Sequence, residues 1–445
     1  MTSLPVIAGM TSGPALPKQA AVCIIGGGIA GVATALELAG RGIDVALLEK
    51  GEIAAEQSSR NWGWCRQMGR DAREIPLILE SLSLWRQMDA RIEGETGFTE
   101  CGILYLCETE AELAARQKWY DENAKPHGLD IRMISGAEVE QRHPGSTRPW
   151  KGALFSPADG RAEPFTAVPA MALGARRKGA QIFTNCAVRG LETKAGRVSA
   201  VVTEKGAIAC DTVVLAGGAW SRRFCHNLGI ELPQLTVVNS VMRTAAIDTG
   251  LWHSCSGGKF AFRKRRDGGY TITHRHLSVA DIVPDSFRLF FHFLPALKLD
   301  RAGLKLRLGQ RFLDEARLKR RWALDEVSPF EQVRILDPEP VQWVLDEAAA
   351  SLKDYFPAFR AMKIAERWAG CIDAMPDAVP VMSAVGKLPG FYLATGFSGH
   401  GFGLGPGAGK LMAQLVTGET PCVDPTPFRY NRYFDGSNPR PTTGL

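Results

Sequence analysis

A glycine-rich turn between a short apolar run and a helical segment is the feature that most constrains how this chain folds. Residues 21–25 suit a buried parallel strand, and Ile29–Gly40 carries apolar residues at helical spacing. Gly26, Gly28 and Gly31 stand at the turn between them. The first glycine permits a tight turn, the second lets a pyrophosphate approach the backbone, and the third lets helix and strand pack closely. Because a helix N-terminus attracts anions, the pattern predicts a dinucleotide site.

A second apolar run supports this prediction. Val45–Leu48 has the character of another buried strand and is followed by Glu49, 18 residues after Gly31. A carboxylate in that position accepts hydrogen bonds from an adenosine ribose. Together these segments form one βαβ unit that opens a doubly wound α/β sheet. NAD and FAD satisfy the unit equally well, and a glycine-rich turn without a ligand is the remaining alternative.

The composition is that of a soluble globular protein. The 445 residues are 45% hydrophobic and 22% charged, which allows two or three domains. The apolar run over residues 20–36 is interrupted by the glycines of the turn, so a strand, a turn and a helix explain it better than a membrane span. Ten cysteines without a CxxC pair favour reduced thiols in the cytoplasm. Residues 1–19 resemble a loose leader more than a signal peptide.

The net charge of +6 is concentrated in one stretch. Residues 298–321 contain nine Lys or Arg against Asp300, Asp314 and Glu315, which accounts for the whole excess and argues against nucleic acid binding. We interpret residues 295–321 as a basic helical stretch. Over residues 287–322, two interpretations stay open: an amphipathic surface that contacts the inner face of a membrane peripherally, and the solvated face of a helical insertion.

Five segments, in a fixed order, carry a resemblance to a known superfamily. They are residues 23–50, 58–61 (SSRN), 213–221 (VVLAGGAWS), 368–377 (WAG followed by PD) and 391–409 (FYLATGFSGHGFGLGPGAG). In this order they resemble the D-amino-acid oxidase, glycine oxidase and sarcosine oxidase superfamily of FAD-dependent amine oxidoreductases. The resemblance covers most of residues 20–425 and selects FAD over NAD.

The resemblance implies a set of cofactor-binding residues along an extended FAD. The pyrophosphate turn, the adenosine-binding acid, the loop after it and the C-terminal turn all contribute. The expected contacts are Gly26, Gly28, Ile29, Ala30, Gly31, Glu49, Lys50, Ser58, Ser59, Arg60, Asn61, Trp62, Gly63, Trp64, Val188, Ala216, Gly217, Trp220, Gly370, Ser398, Gly399, His400, Gly401 and Phe402.

The expected fold class is α/β, with two domains interleaved along the chain. A discontinuous Rossmann-type FAD-binding domain takes residues 20–96, 150–234 and 366–425, with the chain returning to it near residues 152–154. A substrate domain with a mixed, largely antiparallel sheet and a helical insertion takes residues 97–149 and 235–365. Residues 1–19 form the leader and 426–445 a C-terminal tail.

The resemblance also implies the chemistry. The superfamily oxidises a C–N bond: a neutral amine gives up hydride from its α-carbon to the flavin, and the imine then hydrolyses. We expect a small anionic substrate, such as sarcosine, iminodiacetate, a D-amino acid or a cyclic imino acid, with electrons passing to O2 or to a quinone or other respiratory carrier. The alternative is a non-catalytic FAD-binding electron-transfer or scaffold subunit of a larger dehydrogenase complex.

Four residues are candidates for the catalytic site. Arg66, beside Trp62 and Trp64, resembles an arginine near the flavin in sarcosine oxidase and can pair bidentately with a substrate carboxylate; a surface arginine is the alternative. His400 lies on the turn that the resemblance places at the flavin pyrimidine edge, where a helix N-terminus stabilises negative charge.

Asp373 and His274 complete the candidates. Glycine oxidase-like proteins carry an arginine shortly after the WAG segment, whereas this chain has Cys371-Ile372-Asp373. Asp373 is therefore a candidate to hold an ammonium, or is an ordinary loop carboxylate. His274 and His276 are expected on one face of a strand over residues 270–276, with His274 facing the substrate or satisfied in a polar core. No further metal ligands are evident nearby, so no metal site is expected.

Cys371 raises the question of a covalent flavin. Sarcosine oxidase-type proteins attach the flavin to a cysteine shortly before a Pro-Asp pair, and Cys371 precedes Pro376-Asp377 at one residue less than that spacing. We therefore expect non-covalent FAD and a small buried cysteine. The expected location is cytoplasmic, with the peripheral membrane contact left open.

Overall fold

Four sheets and the helices packed on them make up the computed structural model, which describes residues 9–10, 12–13, 15–301 and 303–442. The predicted leader therefore lies largely outside the described residues. The strands are β1 (Val22–Ile25), β2 (Val45–Leu48), β3 (Trp64–Cys65), β4 (Thr99–Glu100), β5 (Ile103–Cys107), β6 (Arg132–Ser135), β7 (Gly152–Ser156), β8 (Gly160–Arg161), β9 (Gln181–Phe183), β10 (Val188–Lys194), β11 (Arg197–Thr203), β12 (Gly206–Ala209), β13 (Thr212–Leu215), β14 (Leu235–Thr244), β15 (Ser254–Gly257), β16 (Phe260–Lys264), β17 (Tyr270–His274), β18 (Ser278–Asp281), β19 (Leu304–Arg307), β20 (Ile364–Ala374), β21 (Val381–Ala384) and β22 (Phe391–Thr395). The helices are α1 (Ile29–Gly40), α2 (Gln57–Arg60), α3 (Ile75–Ile92), α4 (Glu110–Trp119), α5 (Gly136–Arg142), α6 (Pro164–Arg177), α7 (Ser221–Asn227), α8 (Pro284–Arg288), α9 (Phe290–Leu299), α10 (Gln310–Arg317), α11 (Pro329–Gln332), α12 (Gln342–Tyr355) and α13 (Gly401–Thr417).

The first large sheet is the doubly wound sheet that the glycine turn predicts. Its order is β21-β22-β13-β1-β2-β9, and only β21 runs antiparallel to its neighbour. In β1, Cys23 pairs with Ala46 on one side and with Val213 on the other. Every residue of β1 and β2 is buried, as expected for parallel strands covered on both faces. The predicted α/β fold class is confirmed.

Helix α13 lies against α1 because small residues let the two backbones approach. A Cβ built on Gly409 would come 2.5 Å from the carbonyl carbon of Ala33, a distance that no side chain tolerates. The apolar faces of α3 and α6 complete the same hydrophobic core. This packing holds the N-terminus of α13 near the carboxyl ends of β1 and β13.

The second large sheet is mixed and largely antiparallel. Its order is β19-β18-β14-β17-β16-β15-β5-β7-β6, with β20 paired to β14 outside that path. Helix α12 covers it, and aromatic rings fill the space between them, among them Phe260, Phe262, Phe356 and Phe359. Strand β20 continues directly into the segment that leads to β21 and β22, so it carries its C-terminal residues toward the first sheet.

Two segments differ from the sequence-based prediction. Strand β7 pairs antiparallel with β5 and β6 in the second sheet, so residues 152–154 do not return to the first sheet. The helical stretch predicted over residues 295–321 was wrong as one element: α9 ends at Leu299, β19 pairs in parallel with β18, and α10 follows. Asp300 turns the chain there, because its carboxylate accepts a 2.9 Å hydrogen bond from the Gly303 amide.

The strand predicted over residues 270–276 is also shorter than expected. Strand β17 ends at His274, because the Nδ1 of this histidine accepts hydrogen bonds from the amides of His276 and Leu277 at 3.2 and 3.0 Å. His276 therefore does not share a strand face with His274. Within the described ranges, no helix is both long and apolar enough to cross a bilayer.

Candidate active site

A cleft opens at the carboxyl ends of β1, β2 and β13, where doubly wound sheets bind ligands. It runs from Glu49, the acid at the end of β2, to the N-terminus of α13. The residues named from the sequence that line it are Gly26, Gly28, Ile29, Ala30, Glu49, Lys50, Ser58, Asn61, Val188, Ala216, Gly217, Trp220, Asp373, Gly399, Gly401 and Phe402.

The three glycines of the turn have separate roles in this cleft. Gly26 has a φ of +111°, and a Cβ on it would lie 2.4 Å from the Ala216 carbonyl oxygen. A Cβ on Gly31 would lie 2.0 Å from the Gly26 oxygen, so Gly31 keeps α1 close to the turn. Gly28 faces the cleft, and a Cβ there would meet only the Ser58 hydroxyl, at 3.0 Å.

The acid at the end of β2 is already engaged by the backbone. One carboxylate oxygen of Glu49 accepts a hydrogen bond from the Gly27 amide and the other from the Gly51 amide, both at 2.7 Å. Desolvation raises the pKa of Glu49. Beside it, the Lys50 ammonium donates to Glu56 at 2.6 Å and lies 4.5 Å from the centre of the Trp220 ring.

The loop after β2 contributes both lining and support. The Ser58 hydroxyl accepts a 2.9 Å hydrogen bond from the Ile29 amide at the start of α1, and Asn61 joins the lining. Arg60 lies behind the lining, where it donates to Asp337 at 2.6 Å and to the Ala369 carbonyl at 3.0 Å. It is 1% exposed, so its contacts fix the loop from inside the protein.

The other predicted contacts of this loop also lie outside the lining. The Trp62 indole donates to Asn239 at 3.0 Å and meets Trp64 edge to face, with 5.4 Å between ring centres. Gly63 has a φ of +81°, and its carbonyl accepts a hydrogen bond from Ala162. Ser59 and Gly370 are buried as well, Gly370 in β20.

The turn before α13 is held in an unusual backbone conformation. Ser398 and Gly399 have φ values of +51° and +85°, and the Ser398 hydroxyl accepts a 3.0 Å hydrogen bond from the Met375 amide. His400 follows, and its Nδ1 forms a 2.8 Å hydrogen bond with Glu74. Burial lowers the pKa of His400 and favours its neutral form.

Asp373 is the candidate catalytic residue that lines the cleft directly. Its carboxylate accepts hydrogen bonds from the Gly396 and Phe397 amides at 2.7 and 3.3 Å and from the Thr395 hydroxyl at 3.4 Å. Desolvation raises its pKa to about 6. A carboxyl group with this pKa changes charge close to physiological pH, beside the cofactor cleft.

Cys371 lines the same cleft two residues earlier on β20. Burial raises the pKa of its thiol to about 11. A thiolate is the nucleophilic form of cysteine, so this environment disfavours attack by Cys371. The expectation of a non-covalent cofactor stays a prediction, which this environment supports.

Arg66 lies on a separate wall formed by charged residues. Its guanidinium donates to the Met68 carbonyl and lies 6.0 Å from the centre of the Tyr105 ring. Arg70, which is 2% exposed, lies 3.7 Å from Glu74, the partner of His400. Burial and the charge of Arg66 lower the pKa of Arg70 to about 10. The wall thus links Arg66 to the turn before α13.

His274 has partners that suit a polar core. Its Nδ1 accepts the two amide hydrogen bonds that end β17, and its Nε2 lies 3.5 Å from Glu347. Burial lowers its pKa. His274 is not among the residues that line the cleft.

Two residues that bear on the site were not predicted from the sequence. Glu56 binds Lys50, the Trp220 indole and the Leu336 amide, and it lines the cleft. Arg275 is not among the lining residues; its Nη1 lies 3.2 Å from Glu112, and its buried Nε has no hydrogen-bond partner among the described residues. A lone acid after a strand and an arginine beside two histidines carry no motif, so neither had a signal in the sequence.

The residues present fit an extended FAD. The cleft provides a turn whose central glycine leaves the backbone open, a helix N-terminus and an acid at the end of β2. The buried Oε1 of Gln57, beside the cleft, has no hydrogen-bond partner among the described residues. These features are the groups that would bind the pyrophosphate, the adenosine ribose and the flavin ring.

The fold and the cleft together define a flavoprotein of the amine-oxidising class. The chain belongs to the FAD dependent oxidoreductase family, DAO, whose model matches residues 21–415. It is therefore an FAD-dependent amine oxidoreductase, and the predicted superfamily, cofactor and enzyme class are confirmed.

Its relatives cover almost the whole chain. Sarcosine oxidase subunit beta of Arthrobacter sp is 25% identical over 431 residues, which are 95% of this chain and 93% of that protein. Glycine oxidase of Pseudomonas aeruginosa is 25% identical over 417 residues, with 92% and 97% covered. The structure of L-amino acid deaminase from Proteus myxofaciens, in complex with anthranilate, superposes with a TM-score of 0.93 at 36% identity, covering 97% of this chain and 98% of that one.

Proposed function

We propose that this protein oxidises the C–N bond of an α-amino acid, with L-amino acids as the first substrate class, to an imine that water hydrolyses to a 2-oxo acid. The observation that carries the proposal is the similarity to L-amino acid deaminase, which extends over 97% of the chain at 36% identity. N-substituted glycines are the second class, because the glycine oxidase and sarcosine oxidase relatives are more distant, at 25% identity.

The bound flavin supplies a hydride acceptor, and the chain's residues position the substrate against it. The aligned amides at the start of α13 would stabilise negative charge on a flavin bound in the cleft, and Glu74 fixes the ring of His400 beside these amides through its 2.8 Å hydrogen bond. Asp373 is placed to hold the substrate ammonium or take up its proton, because its pKa of about 6 leaves it ionised at neutral pH.

Two arginines compete as the anchor for the substrate carboxylate. Arg66, the candidate from the sequence, is half-buried, with its guanidinium 6.0 Å from the centre of the Tyr105 ring. The side chain of Arg275 is 4% exposed, and its buried Nε, which has no hydrogen-bond partner among the described residues, is a donor that a carboxylate would satisfy. We expect Arg66→Ala to raise KM for anionic substrates far more than for neutral amines. Arg275→Ala is the matched comparison, and equal effects of Arg66→Ala on both substrate types would contradict the role of Arg66.

Flavin reduction without oxygen tests the proposed reaction. We expect L-amino acids to bleach the flavin absorbance of the isolated chain anaerobically, and D-amino acids, sarcosine and iminodiacetate to do so more slowly. Reduction by any of these compounds excludes the non-catalytic scaffold alternative. If no amine of the panel bleaches the flavin, the proposal is wrong. Repeating the assay in air with peroxide detection separates O2 from a respiratory carrier as the acceptor.

The surface formed by the end of α8, α9, β19 and Leu308 favours a membrane-associated acceptor. Large apolar side chains are exposed along it, led by Phe291 at 83%, Leu308 at 70% and Phe287 at 68%. Cations lie among them, including Arg288 and Arg307, which are 49% and 45% exposed. We call residues 287–308 the apolar-cationic surface. Exposed rings beside cations suit the interface of an anionic membrane, and we propose peripheral contact there.

A further inference from the structure

A second cavity, of about 190 Å³, lies between α7, α8 and α10. It adjoins the flavin cleft, because Ala219 and Trp220 line both. The chemistry of the two cavities differs. The flavin cleft is lined mainly by apolar and backbone groups, whereas five arginines line the second cavity: Arg222, Arg223, Arg288, Arg311 and Arg320.

Two carboxylates face these five guanidinium groups. Asp285 is shared by three of them, with the nearest atoms of Arg222, Arg288 and Arg320 at 2.7, 2.9 and 3.2 Å. Because one carboxylate balances only one guanidinium, this half of the cavity carries excess positive charge.

Glu315 is shared by the remaining pair. Arg311 donates to one of its oxygens at 2.9 Å, and Arg223 donates to the other. The side chains of Arg223 and Arg311 are 14% and 18% exposed, so bulk water screens their repulsion only partly. The cavity is thus lined by more cations than its two acids neutralise. An anion bound inside it would balance this excess positive charge.

We propose that this cavity binds a phosphate group. The planar guanidinium presents paired donors that match phosphate oxygens, and several arginines around one partly open cavity suit a doubly charged oxyanion. The phosphate has two possible sources, a soluble phosphate compound or the headgroup of an anionic lipid. Arg288 connects the cavity to the apolar-cationic surface, because it lies next to the exposed Phe287. The site is separate from amine oxidation and does not depend on the proposed substrate.

Thermal unfolding of the FAD-loaded protein with inorganic phosphate tests this site. We expect phosphate to raise Tm relative to chloride at equal ionic strength, and the double variant Arg223→Gln/Arg311→Gln to bind phosphate roughly tenfold more weakly or worse. Arg243→Gln is the control, because Arg243 is likewise a partly buried arginine in ion pairs, with Asp267 and Glu366, but lies outside the cavity.

Two results would overturn the proposal: no difference between phosphate and chloride for the unaltered protein, or the same phosphate shift in the double variant. If the double variant loses its flavin or does not unfold cooperatively, the more exposed Arg320→Gln replaces it, and an unchanged phosphate affinity in that variant counts equally against the site.

Vesicles distinguish the two sources of phosphate. Sedimentation is measured with vesicles of phosphatidic acid in phosphatidylcholine, with and without inorganic phosphate at constant ionic strength. Release of the protein by phosphate, but not by chloride, assigns the cavity to a lipid headgroup. If phosphate does not change vesicle binding but still shifts Tm, the cavity is assigned to a soluble phosphate compound.

Discussion

Single residues in the flavin cleft are constrained either by space or by charge. Gly26 and Gly31 are required by the backbone around them, whereas Gly28 faces the cleft and only the Ser58 hydroxyl lies within 4 Å of a Cβ built on it. Asp373 and Glu49 are acids held by backbone amides in a desolvated cleft. The glycine turn and the acid after β2 could be located from the sequence because such a turn is a local structure, and their contacts with FAD stay predictions.

Gly28→Val is expected to abolish FAD retention, because its side chain would occupy the approach of the pyrophosphate. The measurement is the flavin content of the purified protein, with far-UV circular dichroism to confirm folding. Gly40→Ala, at the exposed end of the same helix, is the control and should keep its flavin, because the space around Gly40 accepts a methyl group. Normal flavin content in Gly28→Val would refute the site.

Asp373 is expected to make the flavin spectrum depend on pH. Its pKa of about 6 means that the carboxyl is neutral below this pH and ionised above it. Because the folded-state pKa lies above the unfolded value, the contribution of Asp373 to stability is present at low pH and is lost as pH rises through about 6. A spectral titration of the bound flavin should show this transition, and Asp373→Asn should remove it.

Asp159 supplies the control for that titration. Its pKa is also raised to about 6 by burial, but it lies outside the cleft lining and accepts hydrogen bonds from the Gln67 and Met68 amides. Asp159→Asn should therefore keep the flavin transition. If the transition survives in Asp373→Asn and disappears in Asp159→Asn, the titrating group is Asp159 and not Asp373.

Elements differ in how far the sequence predicts them. The bounds of α1 and β2 were predicted as they stand, since a glycine turn, an apolar run and helical spacing all lie within a few residues. The predicted helix over residues 295–321 was wrong because β19 forms only by pairing with β18, a contact outside the local pattern. Whether such a segment becomes a helix or a strand depends on contacts distant in sequence. Leucines next to cations are compatible with both structures.

The apolar-cationic surface gives a prediction at this scale. Replacing Phe287 and Phe291 with Ser should weaken the affinity for anionic vesicles, measured by sedimentation, by about a hundredfold or more, because each ring contributes about 1.5–3 kcal/mol when buried. Trp343→Ser is the control: its ring is 52% exposed on α12, outside this surface. Equal loss in the control variant, or none in the double variant, would contradict membrane contact through these rings.

At the scale of the whole molecule, the C-terminal segment is locked to the segment beside the flavin cleft. Asp377 is fully buried and pairs with Arg432 through two hydrogen bonds of 3.1 Å, with Arg73 at 3.1 Å and with the Tyr433 hydroxyl at 2.5 Å. The sequence predicted only a tail here, because the buried acid and its arginine are 55 residues apart and neither has a distinctive local pattern.

Arg432→Ala is expected to lower the free energy of unfolding by about 3–5 kcal/mol, because it leaves a buried carboxylate without its main partner. Urea-induced unfolding measures the change. Arg429→Ala is the control from the same segment: Arg429 is 33% exposed and pairs with Asp435, so its loss should cost about 0–1 kcal/mol. Comparable effects of the two substitutions would show that the Asp377 cluster does not stabilise the fold.

The order of elements along the chain bears on when the flavin cleft can form during synthesis. Strand β1 pairs with β2 and β13, but α1 packs on α13, which follows every strand of the sheet. On the ribosome, α1 therefore lacks this partner until the last of these strands has been made. Because the N-terminus of α13 is one end of the cleft, we expect FAD to be retained only after that helix has emerged.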